Sequence, residues 1–182
     1  MFIDKYYPHE YIEDVYSIDY DALLRQGIRG LIFDIDNTLV PHGADSTPAV
    51  DAFFSTLHNK GFKTLLLSNN SESRIQRFNA HIGTLYIYDA GKPHPAAYEA
   101  AVQSMGLNKE EVVMIGDQVF TDICGANRSG IPGILVKYIG YYKKEKKGIR
   151  RRIEKVILYC YRHSNKTHRL GNITLKTQNP NK

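Results

Sequence analysis

"LIFDIDNTLV", residues 31–40, ends an apolar run on two aspartates one residue apart. Leu31, Ile32 and Phe33 belong to "GLIFDI" (30–35), a short run that reads as a strand buried on both faces. Asp34 and Asp36 would repel each other in a packed interior, and an unpaired buried carboxylate is costly. The pair is either a solvated turn or the wall of a site that holds positive charge. Period-two geometry sends both side chains to the same side of the chain.

The flanking sequence sets this strand in an alternating pattern. "YDALLRQGIR" before it is helix-like and polar. After it, Ser46-Thr47-Pro48 offers a cap with proline in the first turn, and Val50, Phe53, Phe54 and Leu57 recur at helical spacing up to Gly61. "KTLLLSN" (63–69) reads as a second buried strand, "SESRIQRFNAHIG" as a helix and "LYIYD" (85–89) as a short strand. Pro95 opens the helix "PAAYEAAVQSMG", "VVMIGD" (112–117) is a strand, "TDICGANRSG" a short helix and "GILVK" (133–137) the last strand. Strands alternating with helices predict a three-layer α/β/α, Rossmann-like fold with a mostly parallel sheet.

Bulk properties narrow the class. A chain of 182 residues supports one domain with a real core, and 42% hydrophobic with 24% charged residues is ordinary for a globular protein. Cys124 and Cys160 are far apart and lack a second ligand at metal spacing, which points to neither a disulfide framework nor a zinc site. The acidic N-terminus lacks the apolar run of a secretory signal, and "VILYCY" (156–161) is too short to span a bilayer. The expected location is the cytoplasm, with peripheral contact at the inner face of the membrane allowed. Charge is partitioned: residues 1–142 carry 11 Lys and Arg against 17 Asp and Glu, residues 143–182 carry 13 against 2. The expected division is a catalytic domain over 1–142, a basic amphipathic helix over 143–163 and a polar, disordered tail over 164–182.

Ligands bind parallel sheets at the carboxyl ends of strands, and the chemistry-bearing residues cluster there. Asp34 and Asp36 follow the first buried strand, Ser68 and Asn69 the second, and Asp117 follows "VVMIG" with Asp122 five residues on. Lys92 precedes the helix opened by Pro95. Four carboxylates on one rim call for a cation, and a hard oxygen-ligand ion such as Mg²⁺ suits them. The metal alone does not require Lys92 and Ser68; a phosphate beside it does. Taken singly, each has a plainer explanation: Ser68-Asn69-Asn70 as a helix cap, Asp122 as an acid at a helix start, Lys92 as a solvated loop lysine.

At these residues the chain resembles the haloacid dehalogenase-like (HAD) phosphatase superfamily. "FDIDNTLV", "LLLSNN", "GKPHP" and "IGDQVFTDI" match its four motifs in order, over residues 31–123. The resemblance implies Asp34 as nucleophile forming an aspartyl-phosphate, Asp36 as general acid and base, and Mg²⁺ on Asp34, the main-chain carbonyl of Asp36, and Asp117. It implies that Ser68 and Asn69 hold the phosphoryl group and that Lys92 stabilises its charge. Asn37 and Thr38 would shape the loop, and Asp122 would orient Lys92 or complete the metal's outer shell.

Asp36 and Ser68 are 32 positions apart and Ser68 and Lys92 are 24 apart, too little for a cap domain. An uncovered site suits a large or surface-bound substrate. In "KKEKKGIRRRIEKVILYCYRHS" (143–164), Ile149, Ile153, Val156, Ile157 and Cys160 form an apolar stripe among basic residues. Such a helix either lies on an anionic membrane or packs its stripe on the sheet; no nucleic-acid module is recognisable. "PHEYIEDVYSIDYDALLRQGIRGLIFDIDNTLV" and "GKPHPAAYEAA" are further similar to the capless HAD-IIIA, YqeG-like branch, itself similar to mitochondrial phosphatidylglycerophosphatases. That likeness implies a lipid phosphate monoester, phosphatidylglycerophosphate, as substrate. The alternatives are a soluble nucleotide, sugar phosphate or phosphoprotein as substrate, or a non-enzymatic RNA- or membrane-binding module.

Overall fold

The computed structural model describes residues 3–139 and 148–175. Its strands are β1 (Glu10–Ile12), β2 (Gly30–Phe33), β3 (Lys63–Leu67), β4 (Leu85–Ile87), β5 (Val112–Gly116) and β6 (Gly133–Val136). Its α-helices are α1 (Tyr20–Arg25), α2 (Pro48–Asn59), α3 (Glu72–Asn79), α4 (Pro95–Met105), α5 (Cys124–Ser129) and α6 (Ile149–Arg162). The strands form one sheet in the order β1-β6-β5-β2-β3-β4, and every pairing is parallel.

Alternation along β2 explains the three layers. Leu31 and Phe33 face a cluster with Leu23 of α1, Phe53, Phe54 and Leu57 of α2, and Ile75 and Phe78 of α3. Ile32 faces the other way, onto Tyr98, Ala101 and Met105 of α4 and Ala126 of α5. Both faces are covered, so the strand carries apolar residues throughout. Thr47 caps α2, its side chain accepting from the Val50 N–H at 3.3 Å, with Pro48 in the first turn. Gly106 ends α4 at φ 61°, a conformation that glycine adopts without the usual Cβ clash.

The chain leaves β2 for β3 on one side and returns to β5 on the other, so β2 and β5 flank a switch point. One helix and its turns fill the span from Asp36 to Ser68, and α3 with β4 fills that from Ser68 to Lys92. Between Asp36 and Lys92, all of it described, no cap domain interrupts the fold. No helix among the described residues is long and apolar enough to cross a membrane.

In the C-terminal part the structure divides the basic helix between the two readings left open and corrects the expectation of a tail disordered from residue 164. The basic helix exists over Ile149–Arg162, with residues 143–147 outside the described residues, but its apolar stripe does not pack as a unit. Ile157 and Tyr161 are buried against Tyr7, Val119, Ile123 and Leu135. Ile149, Ile153 and Val156 stay exposed, at 75, 46 and 62%. The tail is not disordered through residue 175. Ile173 is fully buried, its carbonyl accepts from the Asp19 N–H at 2.6 Å, and the Leu175 N–H donates to the Ser17 carbonyl at 2.9 Å. Leu170, Ile173 and Leu175, three apolar side chains spaced three and two apart in a polar stretch, fit neither helix nor strand periodicity, so this docking leaves no pattern to read.

Candidate active site

β2 ends at Phe33, and the chain then turns through Ile35–Val40 with Asn37 at φ 65°. The Asn37 N–H donates to the Val40 carbonyl at 2.7 Å, and the Leu39 N–H to the Ile35 carbonyl at 2.9 Å. Period-two geometry therefore stops short of Asp36, and the expectation that the two side chains lie on the same side of the chain is corrected. Each has its own partners.

Asp34 is buried and its N–H still donates to the Ile115 carbonyl of β5 at 2.9 Å. Its Oδ1 accepts from Lys92 Nζ at 2.6 Å and its Oδ2 from Thr38 Oγ1 at 3.2 Å. Lys92 Nζ also donates to Asp122 Oδ1 at 2.8 Å, so the ammonium is wedged between two carboxylates. Asp122 Oδ2 accepts from the Gln118 N–H at 3.0 Å. Gly116 makes this possible: a Cβ there would lie 2.4 Å from the Asp122 carboxyl group. Asp117, at the end of β5, lies 3.5 Å from Thr38 Oγ1 through Oδ1. One oxygen each of Asp34, Asp117 and Asp122 lie within 4.8 Å of one another, and all three residues are buried.

Charge in this cluster is out of balance. Burial pushes Asp34 up to about 6, with Lys92 opposing and Asp122 adding to it. Burial, then Asp34 and Asp122, push Asp117 up to about 8 against Arg151. Burial works against the Lys92 ammonium, but Asp122 and Asp34 outweigh it and raise its pKa. Three carboxylates face two cationic side chains, and the donors are all oxygen. That set fits a hard divalent cation, which prefers carboxylates and completes its shell with water and phosphate.

Asp36 points elsewhere. Its Oδ1 accepts from the Gly43 N–H at 2.9 Å and Arg74 Nη2 at 3.2 Å, its Oδ2 from Asn70 Nδ2 at 2.6 Å. Burial disfavours its charge, yet Gly43, Asn70, Arg74 and His42 together hold it below the usual carboxylate range. Its side chain is thus outside the carboxylate cluster. Ser68, buried after β3, accepts at Oγ from the Asn70 N–H at 3.2 Å. Asn69 grips the main chain of Lys92, accepting from its N–H at 2.8 Å and donating to its carbonyl at 3.3 Å. Its amide braces the lysine rather than standing free.

The structure thus gathers Asp34, Thr38, Lys92, Asp117 and Asp122 directly and sets Asp36, Ser68 and Asn69 around them. Sequence reasoning missed Asn70 and Arg74, which hold Asp36, and Arg151 of α6, which pairs with Asp117. Asn70 is adjacent to the "LLLSN" strand end, and Arg74 lies one turn into the helix that follows, so their proximity was available. Arg151 lies 34 positions from Asp117 and carried no local signal.

A HAD-hydrolase-like family model matches residues 89–157. The chain is 36% identical over 151 residues to the probable phosphatase YqeG of Bacillus subtilis, covering 80% of this chain and 88% of that one. It is 28% identical over 140 residues to phosphatidylglycerophosphate phosphatase 1 of Arabidopsis thaliana, covering 71% of this chain and 40% of the relative's length. Among solved structures, a predicted phosphoglycolate phosphatase from Haemophilus somnus superposes with a TM-score of 0.51 at 13% identity. That match covers 62% of this chain and 86% of the other, and the likeness is one of fold.

Proposed function

Since the chain belongs to the YqeG-like branch of the HAD phosphatases, we propose that it hydrolyses phosphatidylglycerophosphate to phosphatidylglycerol with Mg²⁺. The observation that carries the chemistry is Lys92 Nζ wedged between Asp34 and Asp122 beside Asp117, a buried carboxylate-rich cluster that fits a metal and a phosphate together. Asp34 and Asp117, with the Asp36 main-chain carbonyl, would hold the metal, which supplies Lewis-acid neutralisation of phosphate charge.

In this reading a carboxylate oxygen of Asp34 attacks phosphorus while the ester P–O bond breaks, giving an aspartyl-phosphate and an alkoxide. Asp36 gives that alkoxide its proton. It then takes a proton from water as the water oxygen attacks phosphorus and the Asp34–P bond breaks, releasing inorganic phosphate. The donors that hold Asp36 below the usual carboxylate range oppose the acid half of its role, which needs its carboxyl protonated when the alkoxide leaves. In the same reading Ser68 would donate to the phosphoryl oxygens and Lys92 would neutralise them. Asn69 serves the same group through Lys92, and Asn37 and Thr38 hold the turn that presents Asp34. Asp122 orients Lys92.

Three features support the lipid substrate. The likeness to the Arabidopsis phosphatase spans most of this chain. Among the described residues no cap covers the site, and α6 sets exposed Ile149, Ile153, Val156 and Tyr159 among exposed Arg150, Arg152, Lys155 and Arg162. That surface suits an anionic bilayer, where apolar side chains enter the interface and each Lys or Arg contributes ~1 kcal/mol. Purified protein with Mg²⁺ is expected to release phosphate from phosphatidylglycerophosphate in mixed micelles, and Asp34→Asn to abolish it. Turnover of soluble nucleotides, sugar phosphates or phosphopeptides with none on the lipid overturns the substrate assignment.

A further inference from the structure

Arg151 reaches the cluster from α6, outside all four motifs. Its Nη2 donates to Asp117 Oδ2 at 2.5 Å and its Nη1 to the Asp117 main-chain carbonyl at 3.0 Å. Nη1 also donates to Glu154 Oε2 at 2.8 Å, and Glu154 Oε1 accepts from the Val119 N–H at 3.2 Å. Glu154 is buried, and Ile157 and Tyr161 on the same helix pack against Tyr7, Val119, Ile123 and Leu135. The inner face of α6 is therefore fastened to the loop after β5 by both packing and hydrogen bonds.

We propose that Arg151 is a positioning residue for the Asp117 carboxylate, making α6 a wall of the active site rather than an appended segment. The inference rests on the metal-dependent reading above and names a determinant of metal affinity within it. Arg151 takes one carboxylate oxygen and the carbonyl of the same residue, which fixes Asp117 at both ends. The other oxygen, Oδ1, is left on the side of Thr38, whose hydroxyl also reaches Asp34. A guanidinium spans two acceptors in this way because its donors are held in a rigid planar fork; an ammonium offers a single point charge. Groups that hold a metal-ligating carboxylate from behind change metal affinity by roughly 10–100-fold when removed.

The sign of the effect separates this role from its opposite. An arginine that merely competes with the cation would weaken metal binding, and its removal would tighten it. A positioning arginine gives the reverse. Calorimetric titration of Mg²⁺ into chelator-stripped, full-length protein is expected to show Kd raised about tenfold or more in Arg151→Ala. Arg151→Lys is expected to lie between the two, and the remote Arg25→Ala to match wild type. In turnover assays the Mg²⁺ concentration for half-maximal rate rises in the same order, with kcat at saturating Mg²⁺ recovered to within a few-fold. Unchanged or tighter Mg²⁺ binding in a folded Arg151→Ala or Arg151→Lys variant overturns the inference while leaving the phosphatase reading intact. A wild-type protein that neither binds Mg²⁺ nor releases phosphate overturns both.

Discussion

Replacing Lys92 by Met removes the charge wedged between Asp34 and Asp122 and keeps most of the side-chain volume. The lysine side chain is 3% exposed and sits 2.6 and 2.8 Å from the two carboxylates. Deleting one partner of such a buried arrangement costs about 3–5 kcal/mol, because the charge left behind is uncompensated. The cost depends on pH. Asp34 in the wild type titrates at about 6 against an ordinary 3.8, so its folded-state pKa is raised. A raised carboxylate contributes stability that is present below the unfolded pKa and lost as pH rises through the folded one. Asp117, raised to about 8, follows the same sign, so metal-free wild type should lose stability between pH 4 and 8. Without Lys92, burial and Asp122 act on Asp34 unopposed by the ammonium, so its pKa rises further and it keeps its proton to higher pH than in the wild type. Each unit of that further rise falling between pH 6 and 8 widens the gap between variant and wild type by about 1.4 kcal/mol. Urea denaturation in the presence of a chelator at both pH values measures it, and saturating Mg²⁺ at pH 8 should return part of the loss. A gap equal at pH 6 and pH 8 would falsify the electrostatic account and leave Lys92 a packing residue.

Two further outcomes are expected. Ile149→Ser with Val156→Ser removes side chains that are 75 and 62% exposed, worth about 1–2 kcal/mol each on entering an interface, so partitioning onto phosphatidylglycerol-containing vesicles should drop ~50-fold in sedimentation assays; equal binding by the variant refutes the membrane surface. Gly116→Ala drives a methyl to 2.4 Å from the Asp122 carboxyl group and should displace it from Lys92, costing about 1–3 kcal/mol of stability along with most of the turnover; wild-type turnover in a folded variant excludes that coupling.

Periodicity and caps made most of the fold legible. The buried strands at 30–33, 63–67 and 112–116 are short apolar runs bounded by polar turns, and Thr47-Pro48 and Gly106 mark helix ends by their own chemistry. β1 escaped because three residues of an edge strand alternate too briefly to register. At the site, the motifs pointed to Asp34, Lys92, Asp117 and Asp122: Asp34, Asp117 and Asp122 follow the adjacent strands β2 and β5, and Lys92 reaches them from the loop after β4, its main chain held by Asn69. Asp36 was misdirected by extending strand geometry past Phe33 into a turn with Asn37 at positive φ. Arg74 and Arg151 were missed for a common reason: an ion pair between distant elements has no period, and a charged residue on a helix reads as solvated until the packing is known.

The partition of charge along the chain acquires a physical cause from these contacts. Residues 1–142 are acidic by 6 charges, and part of that excess is the carboxylate cluster at the sheet's rim. Lys92 supplies a positive charge from within that segment, and it is already shared between two acids. The next cation to reach the cluster, Arg151, comes from the basic segment that follows. α6 therefore differs in kind on its two sides. Toward the site it spends one arginine and a buried glutamate on Asp117 and the Val119 N–H; toward solvent it presents apolar side chains with unburied Arg and Lys. A helix needed only for surface charge would not bury Glu154, since burial raises its pKa and that cost is offset by Arg151 and the Val119 N–H. The burial of Glu154 is thus the observation that ties the outward-facing surface to the carboxylate at the end of β5, because moving the helix would break both contacts at once.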